Sequence, residues 1–301
     1  MLKRYLLITF ILIIIGIIIF IGYLEFTNKP FEEFSGTRAF EDVKYQVRLG
    51  PRTLDSEAHS RVVDWIVGEL STEGWQVETQ EAEISGQAIT NVIAKRGEGT
   101  PWIILGSHYD SRPTADRDPD PTNCDKPVPG ANDGASSTAI LLELARVIPR
   151  RIDGQIWLVF FDAEDTGKST GTGWANGSEY FVSMLEGKPD QVIVLDMVGD
   201  KDLNIYMEGN SNRELNNEFW ALANEIGYSQ FIQIYKYDII DDHIPFIKAG
   251  IPAIDVIDMD YPYWHTISDT VDKVSAQSLE IVGITVQKWL EQYSIIKNST
   301  N

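Results

Sequence analysis

The sequence predicts an α/β fold, a three-layer sandwich around a central mixed, mostly parallel sheet, preceded by one N-terminal transmembrane helix. Three observations carry this. Short continuous apolar runs, such as residues 103–105 and 192–195, alternate with segments of helical periodicity, as expected of strands buried on both faces. The 301 residues are 43% hydrophobic and 23% charged, enough apolar material for one sizeable core. Residues 5–24 carry no charge at all, and about 20 apolar residues are what a helix needs to cross a bilayer.

Lys3 and Arg4 precede that apolar run, whereas Glu25, Glu32 and Glu33 follow it. The positive-inside rule therefore keeps the N-terminus cytoplasmic and places the rest of a single-pass protein outside the cytoplasm. A cleaved signal peptide is the competing reading. It calls for a shorter apolar core and small residues at a cleavage site, and the Ile21-Gly22-Tyr23-Leu24 exit offers none. Residues 1–24 are thus read as cytoplasmic start and signal anchor, 25–36 as a polar stalk, and 37–301 as one catalytic domain.

Within that domain, Asp55-Ser56-Glu57 opens a helix whose Val62, Val63, Ile66, Val67 and Leu70 recur at helical spacing, with Gly74 past its end. Residues 75–81 and 88–95 are extended and suit an antiparallel edge. Strands follow at 102–105, 156–161, 192–195, 203–207 and 253–257, and helices at 135–147, 213–226 and 276–293.

The 25 Lys and Arg against 45 Asp and Glu leave a formal charge of −20. Such a surface repels phosphate backbones, which argues against nucleic acid as a partner. Cys124 is the only cysteine, so any metal is held by His and carboxylates. Ligands in open α/β sheets bind beyond the carboxyl ends of strands, and those ends are unusually furnished here. One strand runs into His108-Tyr109-Asp110, another into Asp162-Ala163-Glu164-Asp165, a third into Asp196, and a fourth leads by a short loop to Trp264-His265. Asp133 stands just before a helix. Two imidazoles with several carboxylates suit zinc or a similar divalent ion, which lowers the pKa of a bound water to near 7. Adjacent Glu164 and Asp165, pointing to opposite sides of an extended chain, suit a base beside a ligand.

Gly106-Ser107-His108-Tyr109-Asp110-Ser111, Gly130-Ala131-Asn132-Asp133-Gly134, Glu164-Asp165, Leu195-Asp196-Met197 and Trp264-His265-Thr266 together resemble the signatures of metallopeptidase family 28. That family holds co-catalytic zinc aminopeptidases and, on the same fold, glutaminyl-peptide cyclotransferases. The resemblance implies one or two zinc ions per chain, with Asp133 bridging, His108 and Asp196 on one ion, and Asp165 and His265 on the other. It implies Glu164 as general base and Asp110 as the carboxylate orienting His108. The substrates implied are peptides with a free N-terminus, and the first expectation is hydrolysis of the N-terminal residue by a metal-activated water.

The alternative is cyclisation of N-terminal glutamine to pyroglutamate. Asp241-Asp242-His243-Ile244-Pro245-Phe246 and Trp264 are similar to the cyclase pattern, in which Glu164, Asp196 and Asp241 correspond to proton-shuttling carboxylates. The middle of the chain departs from it, because Trp174 follows Glu164-Asp165 at a distance that does not align simply. A Gly-rich stretch separates them and can bring Trp174 into the pocket. A second alternative is a receptor-like ectodomain without catalysis, although no ligand or base is missing. Trp264, Tyr263 and Trp174 are the expected substrate-binding aromatics. His243 is expected to brace a loop or carboxylate, His59 to face solvent, and Asp116, Asp118, Asp120 and Asp125 to form a solvated loop beside the site.

Overall fold

The computed structural model describes residues 32–167 and 173–293. The apolar segment 5–24 lies outside the described residues, as does most of the stalk. Among the described residues no helix is long and apolar enough to cross a membrane.

The domain begins earlier than expected. Phe34, assigned to the stalk, is buried. A Cβ on Gly283 would lie 2.2 Å from the Phe34 ring, so only glycine lets the two segments approach. Ser35 then caps a helix not anticipated from the sequence, α1 (Gly36–Leu49). In α2 (Glu57–Thr72) the expected start holds, because the Ser56 side chain accepts the His59 amide at the N-cap.

β1 (Gln76–Ile84) and β2 (Gln87–Glu98) pair antiparallel, as expected for an edge. They are followed by β3 (Trp102–His108), α3 (Ala135–Val147), β4 (Gly154–Phe161), α4 (Asn176–Ser183) and β5 (Gln191–Asp196). The six-stranded sheet has the order β1-β2-β4-β3-β5-β8, where β8 is Ala253–Ile257. β2 pairs antiparallel with β4, while β4, β3, β5 and β8 run parallel to one another. Four neighbouring strands therefore end on the same rim.

Alternation along these strands builds two cores. Ile103, Leu105, Leu158, Ile193 and Leu195 join the large cluster that contains residues of α1, α2, α3 and the C-terminal helix α7 (Ala276–Gln292). Ile104, Val159, Phe161 and Val194 pack the opposite face against Phe181 of α4 and Phe246 of a short helix, α6 (His243–Lys248). Each such side chain contributes roughly 1.5–3 kcal/mol on burial, so the sheet that carries the rim is packed from both sides.

One expected strand is placed differently. The segment near 203–207 forms β6 (Ile205–Glu208), which leaves the central sheet and pairs parallel with β7 (Phe231–Tyr237). Between them runs α5 (Arg213–Glu225), whose Phe219 and Trp220 rings pack on Phe231. The aromatic contact holds this small sheet as a separate unit. β7 escapes sequence reading because most of its residues are exposed and it lacks an apolar alternation.

Candidate active site

The rim gathers its side chains through backbone that few residues tolerate. Ala163, Ala175, Met197 and His265 all have positive φ, between 46° and 60°, in the left-handed region that costs non-glycine residues free energy and clusters at functional sites. The turn at Ala163 also corrects the extended reading of Glu164-Asp165. Asp110 accepts the Glu164 amide at 3.2 Å and the Asp165 amide at 3.1 Å, which bends the pair around its carboxylate. Gly134, with φ of 83°, links Asp133 to α3, and a Cβ there would sit 2.5 Å from the Asp110 carbonyl.

His108 and His265 stand on either side of Asp133. His108 Nε2 is 3.2 Å from Asp133 Oδ1 and 3.0 Å from Asp196 Oδ1. His265 Nε2 is 3.1 Å from Asp165 Oδ1 and 3.8 Å from Asp133 Oδ2. Two groups of donors result, His108–Asp133–Asp196 and Asp133–Asp165–His265, each with its ligand atoms within 4.8 Å of one another. Asp133 belongs to both. Its Oδ2 and the Oδ2 of Asp165 are buried without a hydrogen-bond partner, a costly condition for ionised oxygens that a cation relieves. The residues fit a divalent ion of the kind N and O ligands hold.

Asp110 lies 3.4 Å from His108 Nδ1, so it touches both the imidazole and the Glu164-Asp165 turn. Asp269, unmarked in the sequence reading, accepts the amides of Asn132 and Asp133 at 2.8 and 3.2 Å and the Tyr261 hydroxyl at 2.6 Å. Its signal was its place four residues after His265. Burial drives several of the carboxyls here toward protonation, whereas Asp133, against its burial, is held below its usual range by His108 and His265. Burial lifts Glu164 well above the usual range, reinforced by Asp241. Burial also takes Asp196 to about 7, against the pull of His108, and raises Asp241. Asp165 is pushed up to about 6 by burial and by Asp133.

A cavity of about 450 Å³ opens on these groups and is lined by Glu164, Asp241, Trp174 and Trp264 together with Asp133, Asp165, Asp196 and His265, within the range of small-ligand sites. Ile239, Ile257, Met259 and Met197 complete its apolar wall; nothing in their local sequence set them apart. Trp174 reaches the pocket despite its awkward spacing and stacks on His265, ring centroids 5.9 Å apart and planes at 22°. Trp264 lies against the same imidazole at 4.1 Å.

Tyr263 does not join them. It lines a neighbouring cleft with Asp200, Asp260 and Lys273, because it and Trp264 diverge from consecutive positions of one turn. His243 is buried with Nε2 3.2 Å from Glu208 Oε2. His59 is buried rather than exposed, with Nε2 2.8 Å from Asp162 Oδ1 and 3.2 Å from the Tyr109 hydroxyl. In the acidic loop, Asp118 and Asp120 accept backbone amides. Asp116 turns toward the site instead, 3.2 Å from His265 Nδ1.

Comparison with known proteins agrees with this geometry. The profile of Peptidase family M28 matches residues 91–290. Glutaminyl-peptide cyclotransferase of Drosophila melanogaster is 24% identical over 292 residues, covering 81% of this chain and 78% of its own length. Aminopeptidase YwaD of Bacillus subtilis is 28% identical over 237 residues, covering 72% of this chain and 47% of its own, so the chain spans about half of that relative. Among solved structures, Porphyromonas gingivalis glutaminyl cyclase is 34% identical with a TM-score of 0.82, covering 86% of this chain and 98% of that one. A Bacteroides thetaiotaomicron structure described as a leucine aminopeptidase precursor is 32% identical with a TM-score of 0.81, covering 90% and 99%.

Proposed function

The chain belongs to Peptidase family M28, and from that premise we propose that it is a zinc-dependent glutaminyl-peptide cyclotransferase acting on the free N-terminus of peptides. The observation that carries this reading is the placement of Trp174. Its ring stacks on His265 inside the pocket, with Trp264 against the same imidazole, and gives an aromatic wall for a short, flat amide side chain. The relatives named above as glutaminyl cyclases support it.

In this reaction the substrate's α-amino nitrogen attacks the γ-carbonyl carbon of its own glutamine. The new N–C bond closes the ring, the amide C–N bond breaks, and ammonia leaves. One proton must travel from the attacking nitrogen to the departing one. Glu164 lines the pocket beside Asp241, and its carboxyl is poised to take that proton and return it. Asp241, whose carboxyl burial pushes above the usual range, lines the same pocket and can share that proton with Glu164. The apolar wall excludes water that would otherwise compete. Asp133, Asp165 and His265, or Asp133, His108 and Asp196, would hold a zinc ion, which when bound would supply Lewis acidity toward the carbonyl.

Hydrolysis of the N-terminal residue, the first expectation from the sequence, is the second reading. The two donor groups sharing Asp133 favour it, since a pair of ions suits water attack, and so does the similarity to aminopeptidases. A Gln-initiated peptide incubated with the zinc-loaded protein separates the two. Ammonia release with the peptide length retained is the expected result. Release of free glutamine would overturn cyclisation in favour of hydrolysis.

We also place the catalytic domain outside the cytoplasm, anchored by residues 5–24; support comes from the uncharged run and from Lys3 and Arg4 before it. Protease added to intact cells should digest the domain while sparing cytoplasmic markers.

A further inference from the structure

We propose that Arg112 and Asp116 form a clamp that sets the metal-binding face of His265 and, through the same guanidinium, holds Trp174 in the substrate pocket. The inference rests on the metal-dependent reading above and assigns two positioning residues to that site.

The four side chains close a ring. Arg112 is buried and grips the Asp116 carboxylate with both arms of its fork, Nη2 at 2.8 Å from Oδ2 and Nε at 3.2 Å from Oδ1. Asp116 Oδ1 lies 3.2 Å from His265 Nδ1. A negative charge there favours the tautomer with the proton on Nδ1, which leaves Nε2, the nitrogen facing Asp133 and Asp165, as the lone-pair donor. Metal-binding histidines commonly depend on such a partner for tautomer and ring angle.

The remaining arm of Arg112 turns to the other ligand. Nη1 donates to the Asp165 carbonyl at 3.1 Å and reaches Asp165 Oδ1 at 3.4 Å. Meanwhile the guanidinium carbon lies 4.8 Å from the Trp174 ring centroid, a cation–π distance, and Trp174 stacks on His265. Gly167 makes room for this stack, since a Cβ there would be 2.6 Å from Arg112 Nη1 and 2.9 Å from the Trp174 ring. One guanidinium thus braces a ligand carboxylate, the carboxylate that aligns a ligand imidazole, and the aromatic wall. The planar fork is essential, and a lysine would keep the charge but lose the bidentate grip.

The test uses the full chain and reads zinc affinity by chelator competition, the visible spectrum after cobalt substitution, and KM at saturating zinc. Asp116→Ala is expected to weaken zinc by roughly 10–100-fold and to alter the cobalt spectrum. Asp116→Asn, which keeps the side-chain shape and an oxygen facing the imidazole but not the charge, should recover part of that loss. Arg112→Lys should weaken zinc as well and also raise KM several-fold, which loss of ligand alignment alone would not do. Wild-type zinc affinity and cobalt spectra in Asp116→Ala and Arg112→Lys would overturn the clamp while leaving the proposed activity standing. If Asp116→Ala does not fold, unchanged affinity in Asp116→Asn and Arg112→Lys has the same meaning. A wild-type protein that cyclises glutamine yet takes up no zinc would sink the metal-dependent reading and the clamp with it.

Discussion

Two charged clusters lie at opposite ends of α3, and they differ in how their charges are answered. Near its C-terminus, Glu143 is fully buried but accepts from Arg38 Nη2 at 2.6 Å and lies 3.3 Å from Arg146 Nη1. Arg146 also pairs with Asp42 at 2.5 Å and with Glu69 at 2.8 Å. Two guanidinium groups thus answer three carboxylates, with Glu32 at the edge 3.7 Å from Arg38 Nη2. Just before the N-terminus of the same helix, Asp133 shares the rim with Asp165, Asp196, Glu164 and Asp241, and buried oxygens there lack partners. The first cluster is closed by its own cations and serves stability. The second is built for a cation from outside.

The comparison can be broken most decisively at the base. Glu164→Gln is expected to lower kcat by roughly 10²–10⁴-fold with zinc content unchanged, measured by steady-state ammonia release and metal analysis. Arg146→Met should do the reverse. It leaves buried carboxylates short of a partner and is expected to cost about 3 kcal/mol in denaturant unfolding, with zinc content and KM retained.

Metal removal sharpens the contrast further. Dialysis against a chelator should abolish activity and lower stability by about 2.7 kcal/mol relative to protein at a free zinc level of 100 times Kd. The same decrement is expected in Arg146→Met, because the two clusters share no partner; unequal decrements would show that they are coupled. The smallest effect concerns Glu208. Burial works against its ionised form, but His243 and the backbone amides of Asn210 and Ile239 outweigh it and bring the carboxyl down to about 2. A depressed acid contributes stability that is complete above its unfolded value near 4.5 and is lost as pH falls toward 2. Glu208→Gln should therefore flatten the acid limb of the unfolding curve in that window, by on the order of 2 kcal/mol at most.

Much of the site was legible because its chemistry sits where local pattern is strongest. His108, Asp196 and the Glu164 pair follow continuous apolar runs that can only be buried strands, and strand ends in a parallel sheet share a rim. The antiparallel edge and the helix begun by Ser56 were readable for the same reason, since alternation and capping involve neighbours in sequence. Arg112 was passed over although it stands two residues after Asp110, because nothing local tells a buried arginine from a solvated one. His59 was misplaced on the same ground, as its partner Asp162 is more than 100 residues away.

The amino-acid sequence by itself determined the α/β alternation, the family, and the identity of the side chains able to hold a divalent ion, because periodicity and motif spacing are properties of short segments. The tertiary structure alone decided which aromatics face the pocket, bringing Trp174 onto His265 and leaving Tyr263 in another cleft. It also decided that Asp116 leaves its acidic loop for the imidazole. These outcomes depend on turns at Ala163, Ala175 and His265 whose direction is set by packing between distant segments, and no local pattern encodes that.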